Sequence, residues 1–206
     1  MKLHFALVFI FTVLVRAQLA PGPLDLVVLY ESLCSDSINF ILNQLRPAYD
    51  KFGSKNIKLT LVPFGKANFE MVRNQLSFQC QHGSEECYGN IVQACAIDQL
   101  LDNPTKALQY VLCMEEGAAE IRVSPKLCAA EMSLNWEEIE VCATGSRGKY
   151  LHAINGLVTS DLVPELKFVP TVVINGEVVG DETAVLNDFV GLLCRNYLAE
   201  VEECQY

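Results

Sequence analysis

The sequence predicts an α/β fold: a small sheet with helices packed on it, interrupted by a largely helical insertion rich in disulfide-forming cysteine. Three observations carry that expectation. Apolar, β-branched runs lie towards the two ends of the chain, at 24–30, 57–64 and 168–174. A helix-like pattern separates the first two. The stretch from about 66 to 146 holds six of the nine cysteines, is short of strand pattern and reads as successive helices.

The elements follow in order. Pro21-Gly22-Pro23 is a stiff leader, and Leu24 to Tyr30 is a buried strand. Ser35 to Lys51 is an amphipathic helix with Ile38, Phe40, Ile41, Leu42 and Leu45 on its apolar face. Pro47 kinks or breaks it, and Gly53-Ser54 ends it. Ile57 to Phe64 is a second strand. The short joints of this strand-helix-strand unit imply a parallel pair with a right-handed crossover. Helices are then expected at 90–101, 104–116, 125–133, 136–143 and 148–157, the second opened by Pro104. Phe168 to Ile174 is a strand, Asn175-Gly176 a hairpin turn, and Glu177-Val178-Val179 the return strand. Asp181 or Thr183 caps a final helix through Tyr197. The order β-α-β, helical insertion, α, β-hairpin, α is that of a thioredoxin-like fold with an insertion.

A chain of 206 residues suits one such domain. Residues 1–17 read as a signal peptide: Lys2 supplies the positive start, Leu3 to Val15 the apolar stretch, and Val15-Arg16-Ala17 the cleavage site. An uncleaved anchor is the alternative, but a bilayer span needs roughly 20 apolar residues and this run is shorter. The domain is then 18–206, with its insertion at about 66–146. Losing Lys2 and Arg16 takes the formal charge from −10 to −12. Such an acidic chain is no nucleic-acid binder and does not dock on anionic lipid.

Nine cysteines in a secreted chain imply disulfides. With Cys34 set aside as a free thiol, Cys80, Cys87, Cys95, Cys113, Cys128, Cys142, Cys194 and Cys204 form four bridges. Cys194–Cys204 and Cys128–Cys142 are the expected pairs, because each joins the ends of a short local segment. The other four allow three pairings. Zinc is the competing reading of clustered cysteine beside His82. The spacing matches no paired knuckle, so neither metal nor other cofactor is expected.

Cys34-Ser35-Asp36-Ser37 lies where a strand passes into a helix, which is where a thioredoxin-type centre carries Cys-x-x-Cys. Cys34 is the nucleophile, its thiolate favoured by the helix N-terminus and disfavoured by Asp36. Ser37 stands in place of the resolving cysteine. A hydroxyl forms no disulfide, so it cannot expel a client held on Cys34. A ninth cysteine that is buried, or that joins a second chain, is the plainer reading of Cys34.

Cys80-Gln81-His82-Gly83-Ser84-Glu85-Glu86-Cys87-Tyr88-Gly89-Asn90, followed by Cys95, fits C-Q-H-G-x-x-E-C-x-x-N-x-x-x-x-C. With it go Tyr30-Glu31-Ser32-Leu33-Cys34 and Val169-Pro170-Thr171. On these motifs the chain resembles the gamma-interferon-inducible lysosomal thiol reductase (GILT) family, most of all its secreted invertebrate GILT-like members, from about Leu24 to Cys204. The resemblance implies a thioredoxin-like fold, reduction of protein disulfides in acidic lysosomes, and a setting in antigen processing or innate immunity. It also implies a cis-proline at Pro170 that faces Cys34 and pairs with substrate backbone.

Two features set this chain apart from that pattern. One is Ser37. The other is targeting: the family's lysosomal route uses N-linked glycans, and the chain has no usable acceptor, Asn103-Pro104-Thr105 being blocked by its proline. Secretion outside the cell is therefore expected. The leading expectation is a GILT-like protein with weak or lost dithiol reductase activity that binds a protein or cell-surface partner. The alternative is a monothiol oxidoreductase using Cys34 with glutathione, and the third reading is a Cys34-linked homodimer. His82 is expected to tie its loop together rather than act as acid or base. Glu86 and Asn90 cap or brace the same loop, His152 is a satisfied core residue, and Glu200-Val201-Glu202-Glu203 is a solvated face.

Overall fold

The structure, a computed structural model, describes residues 22–205. The expected signal peptide lies outside the described residues. Strand β1 (Leu24–Tyr30) runs into α1 (Ser35–Phe40), a π-helical turn (Ile41–Leu45) and α2 (Arg46–Asn56), then β2 (Ile57–Pro63). A hairpin of β3 (Asn68–Val72) and β4 (Gln75–Gln79) follows. Five helices come next: α3 (Ser84–Gln99), α4 (Pro104–Glu116), α5 (Ser124–Glu131), α6 (Trp136–Thr144) and α7 (Ser146–Ser160). The chain closes with β5 (Thr171–Ile174), β6 (Glu177–Val178), α8 (Glu182–Asn187) and α9 (Phe189–Asn196).

The main sheet has the order β2-β1-β5-β6. β1 and β2 pair in parallel, Leu24 opposite Ile57 and Tyr30 opposite Pro63. β5 lies antiparallel on the other side of β1, Leu26 opposite Ile174. The pleat sends alternate β1 residues to opposite faces. Leu26, Val28 and Tyr30 enter the larger core with Phe40, Ile41, Leu45, Phe189 and Leu193. Leu29 meets Val62 and Val173 on the reverse face. A separate core fills the insertion, built on Val92, Ala96, Tyr110, Met114, Ala129 and Ile139. Among the described residues no helix is long and apolar enough to cross a membrane.

Three expectations needed correction. The segment after β2 is not helical at its start but forms the β3–β4 hairpin, with Phe69 opposite Phe78. Its turn uses Arg73 and Asn74, both at positive φ (49° and 65°), without glycine, and its strands are mostly exposed, so neither a turn dipeptide nor a core pattern advertised it. The long first helix is not broken at Pro47: its backbone stays helical through the π-helical turn just ahead of the proline and leaves helical geometry at Gly53 (φ 63°, ψ −179°), inside α2. The last helix splits at Asp188 (φ −151°, ψ 55°), whose carboxylate accepts from the Gly191 amide and restarts the helix as α9. Asp181 caps α8 through the Ala184 amide.

The disulfides are Cys80–Cys87, Cys95–Cys142, Cys113–Cys128 and Cys194–Cys204. The last is the expected pair; Cys128–Cys142 is not formed. α6 packs on α3 and turns Cys142 to Cys95, whereas α5 packs on α4 and turns Cys128 to Cys113. Helix packing, rather than short separation, decides the partners.

Candidate active site

Cys34 is the N-cap of α1, with extended backbone (φ −76°, ψ 121°), and is half-buried. It is the one free cysteine among the described residues. β1 ends in the core at Tyr30, and residues 31–33 turn the chain from the end of this inner strand into α1. The turn is closed by the Cys34 amide donating to the Glu31 carbonyl (3.3 Å), and the helix begins with the Ile38 amide donating to the Cys34 carbonyl (2.9 Å). The thiol lies 3.9 Å from the Val169 carbonyl. That contact sets the loop leading into β5 against the sulfur, and the Val169–Pro170 peptide in this loop is cis.

Ser37 lies one turn along α1 and is fully buried. Its Oγ accepts from the Glu31 amide at 3.3 Å. The hydroxyl therefore fastens the start of the turn. Asp36 is exposed.

The signature segment grips the same turn from the other side. Cys80–Cys87 closes the loop that precedes α3, and Gly83 enters the helix at φ +82°. Asn90 on α3 accepts from the Ser32 amide (2.9 Å), and the Ser32 hydroxyl donates to the Glu86 carbonyl (3.3 Å). Gly89 makes this approach feasible: a Cβ there would stand 2.5 Å from Ser32 Oγ. Asn90 thus braces the Cys34 turn rather than its own loop, which corrects the expectation from the sequence. Gln81 is exposed; Cys95 is buried in the core of the insertion and bonded to Cys142 of α6.

His82 stands between two buried carboxylates. Its Nδ1 is 2.5 Å from Glu86 Oε2 and 3.7 Å from Glu31 Oε2, while its amide donates to Glu86 Oε1 (3.1 Å). Glu31 and Glu86 have no exposed surface. Glu31 Oε1 accepts from the Lys66 amide (2.6 Å), and Oε2 makes no hydrogen bond. Burial raises the Glu31 carboxyl above its ordinary range; the Lys66 amide opposes this, the Glu86 charge adds to it and His82 opposes it. Gly65, at φ +58°, leaves room for the Glu31 side chain, with which any Cβ would collide. Glu31, Gly65 and Gly89 were not singled out from the sequence. The signal for Glu31 was an acidic residue directly after a buried strand, inside the active-site turn.

A second set of buried polar groups lies behind Tyr30. Gln93 donates to Glu115 at 2.6 Å, and both are buried. Burial pushes Glu115 up to about 8, against the Gln93 hydrogen bond. Burial, then the charge of Glu115, raises Tyr30. The His152 ring lies tilted between Phe64 and Phe78, with centroids 4.7 and 4.6 Å away. It is buried as expected but not satisfied, since neither ring nitrogen makes a hydrogen bond. Burial lowers it to about 4, the Pro63 carbonyl opposing.

The family model described as gamma interferon inducible lysosomal thiol reductase matches residues 25–132, which span the Cys34 turn and the signature segment. The chain belongs to the GILT family. It is 37% identical to the gamma-interferon-inducible lysosomal thiol reductase-like protein of Anopheles gambiae, over 86% of this chain and 78% of that protein. It is 33% identical to the gamma-interferon-inducible lysosomal thiol reductase of Carassius auratus, over 87% and 70%. In fold it is similar to Chlamydia trachomatis DsbA, with a TM-score of 0.58 at 14% identity over 84% of each chain. It is likewise similar to BdbD of Bacillus subtilis, with a TM-score of 0.56 at 10% identity over 90% and 89%. The fold is thus a mixed α/β thioredoxin-like one, as the element order predicted, and in this GILT chain Ser37 stands three residues after Cys34.

Proposed function

We propose that this GILT chain captures disulfide-bearing proteins through Cys34 and the Pro170 loop, and that its dithiol reductase cycle is broken at Ser37. The observation that carries the reading is the pair of environments at the two ends of the motif. Cys34 is half-buried, with its sulfur against the Val169 carbonyl. The partner position holds a fully buried hydroxyl bonded to the Glu31 amide.

The chemistry follows from those atoms. The Cys34 thiolate attacks one sulfur of a client disulfide; a Cys34–client disulfide forms and the other client sulfur leaves as a thiolate. In a two-thiol centre the second sulfur would then attack Cys34 and release the client. Ser37 Oγ cannot, because oxygen forms no such bond. The client stays attached until an external thiol exchanges with it. A second external thiol then reduces Cys34, so two thiols become one disulfide for each client reduced.

The cellular setting belongs to the same proposal. Residues 1–17 direct the chain to secretion, and residues 18–206 form one domain with its insertion at about 66–146. The four disulfides suit an oxidising compartment. An immune or host–pathogen role is consistent with the relatives' names. Partner binding is the main activity, and the client is a protein rather than a nucleic acid or a membrane.

Mixing the reduced protein with insulin tests the reading. A covalent Cys34–insulin adduct should accumulate, vanish in Cys34→Ala, and be cleared by added glutathione. Turnover above the Cys34→Ala control without such a thiol would end it. The half-exposed Cys34 also favours a second reading, a monothiol oxidoreductase that uses glutathione. Glutathione disulfide would then add about 305 Da to Cys34, and rapid glutathione-driven turnover, rather than slow clearance, would select that reading. A Cys34-linked homodimer, visible on a non-reducing gel, would exclude both.

A further inference from the structure

We infer that Glu31, His82 and Glu86 form a binding site for a divalent transition-metal cation of the zinc type, beside the Cys34 turn and separate from its sulfur chemistry. One donor atom from each residue lies within 4.8 Å of the other two. The site joins the end of the active-site strand to the loop closed by Cys80–Cys87, and nothing in the thiol chemistry uses it.

The first argument is charge. Two carboxylates with no exposed surface face each other across one imidazole. Among the described residues no lysine or arginine forms an ion pair with either. A protonated His82 has a single Nδ1–H, which serves Glu86 at 2.5 Å. That proton cannot also serve Glu31 Oε2, which stands 3.7 Å away and is buried without a hydrogen bond. A buried carboxylate oxygen lacking a partner is costly. A divalent cation satisfies both oxygens at once and balances their two negative charges.

The second argument is preparation. Each carboxylate already has its Oε1 held by a backbone amide, Glu31 by Lys66 and Glu86 by His82. Glu31 Oε2 is thereby left without a partner and Glu86 Oε2 with only the His82 Nδ1, the third donor of the shared point. Metal-ligating carboxylates are commonly anchored in this way by outer hydrogen bonds. Gly65 keeps the Glu31 side chain in its place, since a Cβ there would strike it.

The third argument is access and ligand type. The His82 side chain is 45% exposed, so it can swing and leave an entry path and an open coordination position. Tetrahedral zinc with bonds of about 2.0–2.2 Å needs donor separations of about 3.3 Å. The present separations of 2.5 and 3.7 Å bracket that value, so turning the imidazole by a fraction of an ångström sets them. One nitrogen and two oxygens suit zinc or manganese better than copper(I), which prefers sulfur. The ligands are carboxylates and a histidine; the signature cysteines are committed to a disulfide.

Calorimetric titration of untagged Cys34→Ser protein with ZnCl2, disulfides intact, tests the site without any sulfur chemistry. The expected result is saturable binding of one zinc per chain and a rise in Tm. Co2+ in its place should give the visible absorption of a nitrogen–oxygen site. His82→Ala, which changes a half-exposed side chain and should fold, is expected to weaken binding by roughly a hundredfold and abolish the Tm rise. Glu31→Gln and Glu86→Gln should act likewise where circular dichroism shows them folded. No saturable binding in the Cys34→Ser protein, or binding unchanged by His82→Ala, overturns the proposal. Because Cys34 is absent, failure here leaves the capture reading untouched, and failure of capture leaves the metal site untouched.

Discussion

The Cys34 turn is held from two sides, and the two sides differ. On one, α3 supplies Asn90 and the Glu86 carbonyl, with Gly89 permitting the approach. On the other, α1 supplies Ser37, whose oxygen takes the Glu31 amide. The α3 side is architecture: each atom bonds a group of the turn, and the spacing leaves no room for change. The α1 side is a single hydrogen bond from a buried hydroxyl, and in the proposed function that hydroxyl stands where a two-thiol reductase keeps its second sulfur. On the proposed function, the contrast teaches that a resolving thiol can be replaced while the bonds that position Cys34 stay in place. Serine is close to cysteine in size and accepts hydrogen bonds better.

The comparison can be broken first at the insertion that carries α3. Cys95–Cys142 spans 47 residues and fixes α3 to α6. Replacing both cysteines by alanine should cost about 4 kcal/mol by loop-closure entropy. For Cys80–Cys87, seven residues apart, the same reasoning gives about 2.5 kcal/mol. Urea unfolding of the two double variants checks the order; a larger loss at Cys80–Cys87 would mean that the signature loop, and not the helical insertion, carries the stability.

Next comes pH, because buried Glu115 and His152 pull in opposite directions. Glu115 is raised from 4.5 to about 8, so the folded state holds its proton more tightly than the unfolded one. Its contribution is full below 4.5 and is lost as pH climbs to 8. His152 is lowered from 6.5 to about 4, so its contribution is full above 6.5 and is lost as pH falls to 4. The two slopes oppose each other between 4.5 and 6.5, and of the two only Glu115 acts from 6.5 to 8. There stability should fall by about 1 kcal/mol per pH unit. Melting curves of Glu115→Gln should lose that upper decline and show stability rising with pH in the lower window. An unchanged profile would place the titrating groups elsewhere.

The two clamps can then be compared directly. Asn90→Ala removes the acceptor of the buried Ser32 amide and leaves a hole, at a cost of about 2–3 kcal/mol. Ser37→Ala removes only the acceptor of the Glu31 amide, at a cost of about 1 kcal/mol. Alkylation of Cys34 by iodoacetamide should accelerate in Asn90→Ala, whose turn is loosened, and hardly change in Ser37→Ala. Equal effects would erase the distinction between the sides.

Much of this was legible in the sequence. The apolar run from Leu24 to Tyr30 and the Asn175-Gly176 turn, with φ of 51° and 84°, fix the main sheet by local rules. Asn103-Pro104 opens α4 where cap and N1 chemistry place it. What was hidden depends on packing between distant segments. The Cys95–Cys142 pairing follows from α6 lying on α3. The β3–β4 hairpin leaves only Phe69, Leu76 and Phe78 half-buried and turns without glycine. Asn90 looked like a brace for its own loop because its partner, Ser32, is 58 residues away. Glu31 became visible only when Gly65, Lys66 and His82 were brought around it.

The central claim concerns release, so a single-turnover experiment tests it most directly. Reduced wild-type and Ser37→Cys proteins are mixed with one equivalent of a disulfide-bonded client, with no other thiol present, and free client dithiol is measured over time. Wild type should keep the client attached to Cys34. The Ser37→Cys protein should free it as a dithiol and end with Cys34 bridged to the introduced second thiol. Equal release by the two proteins would contradict the account.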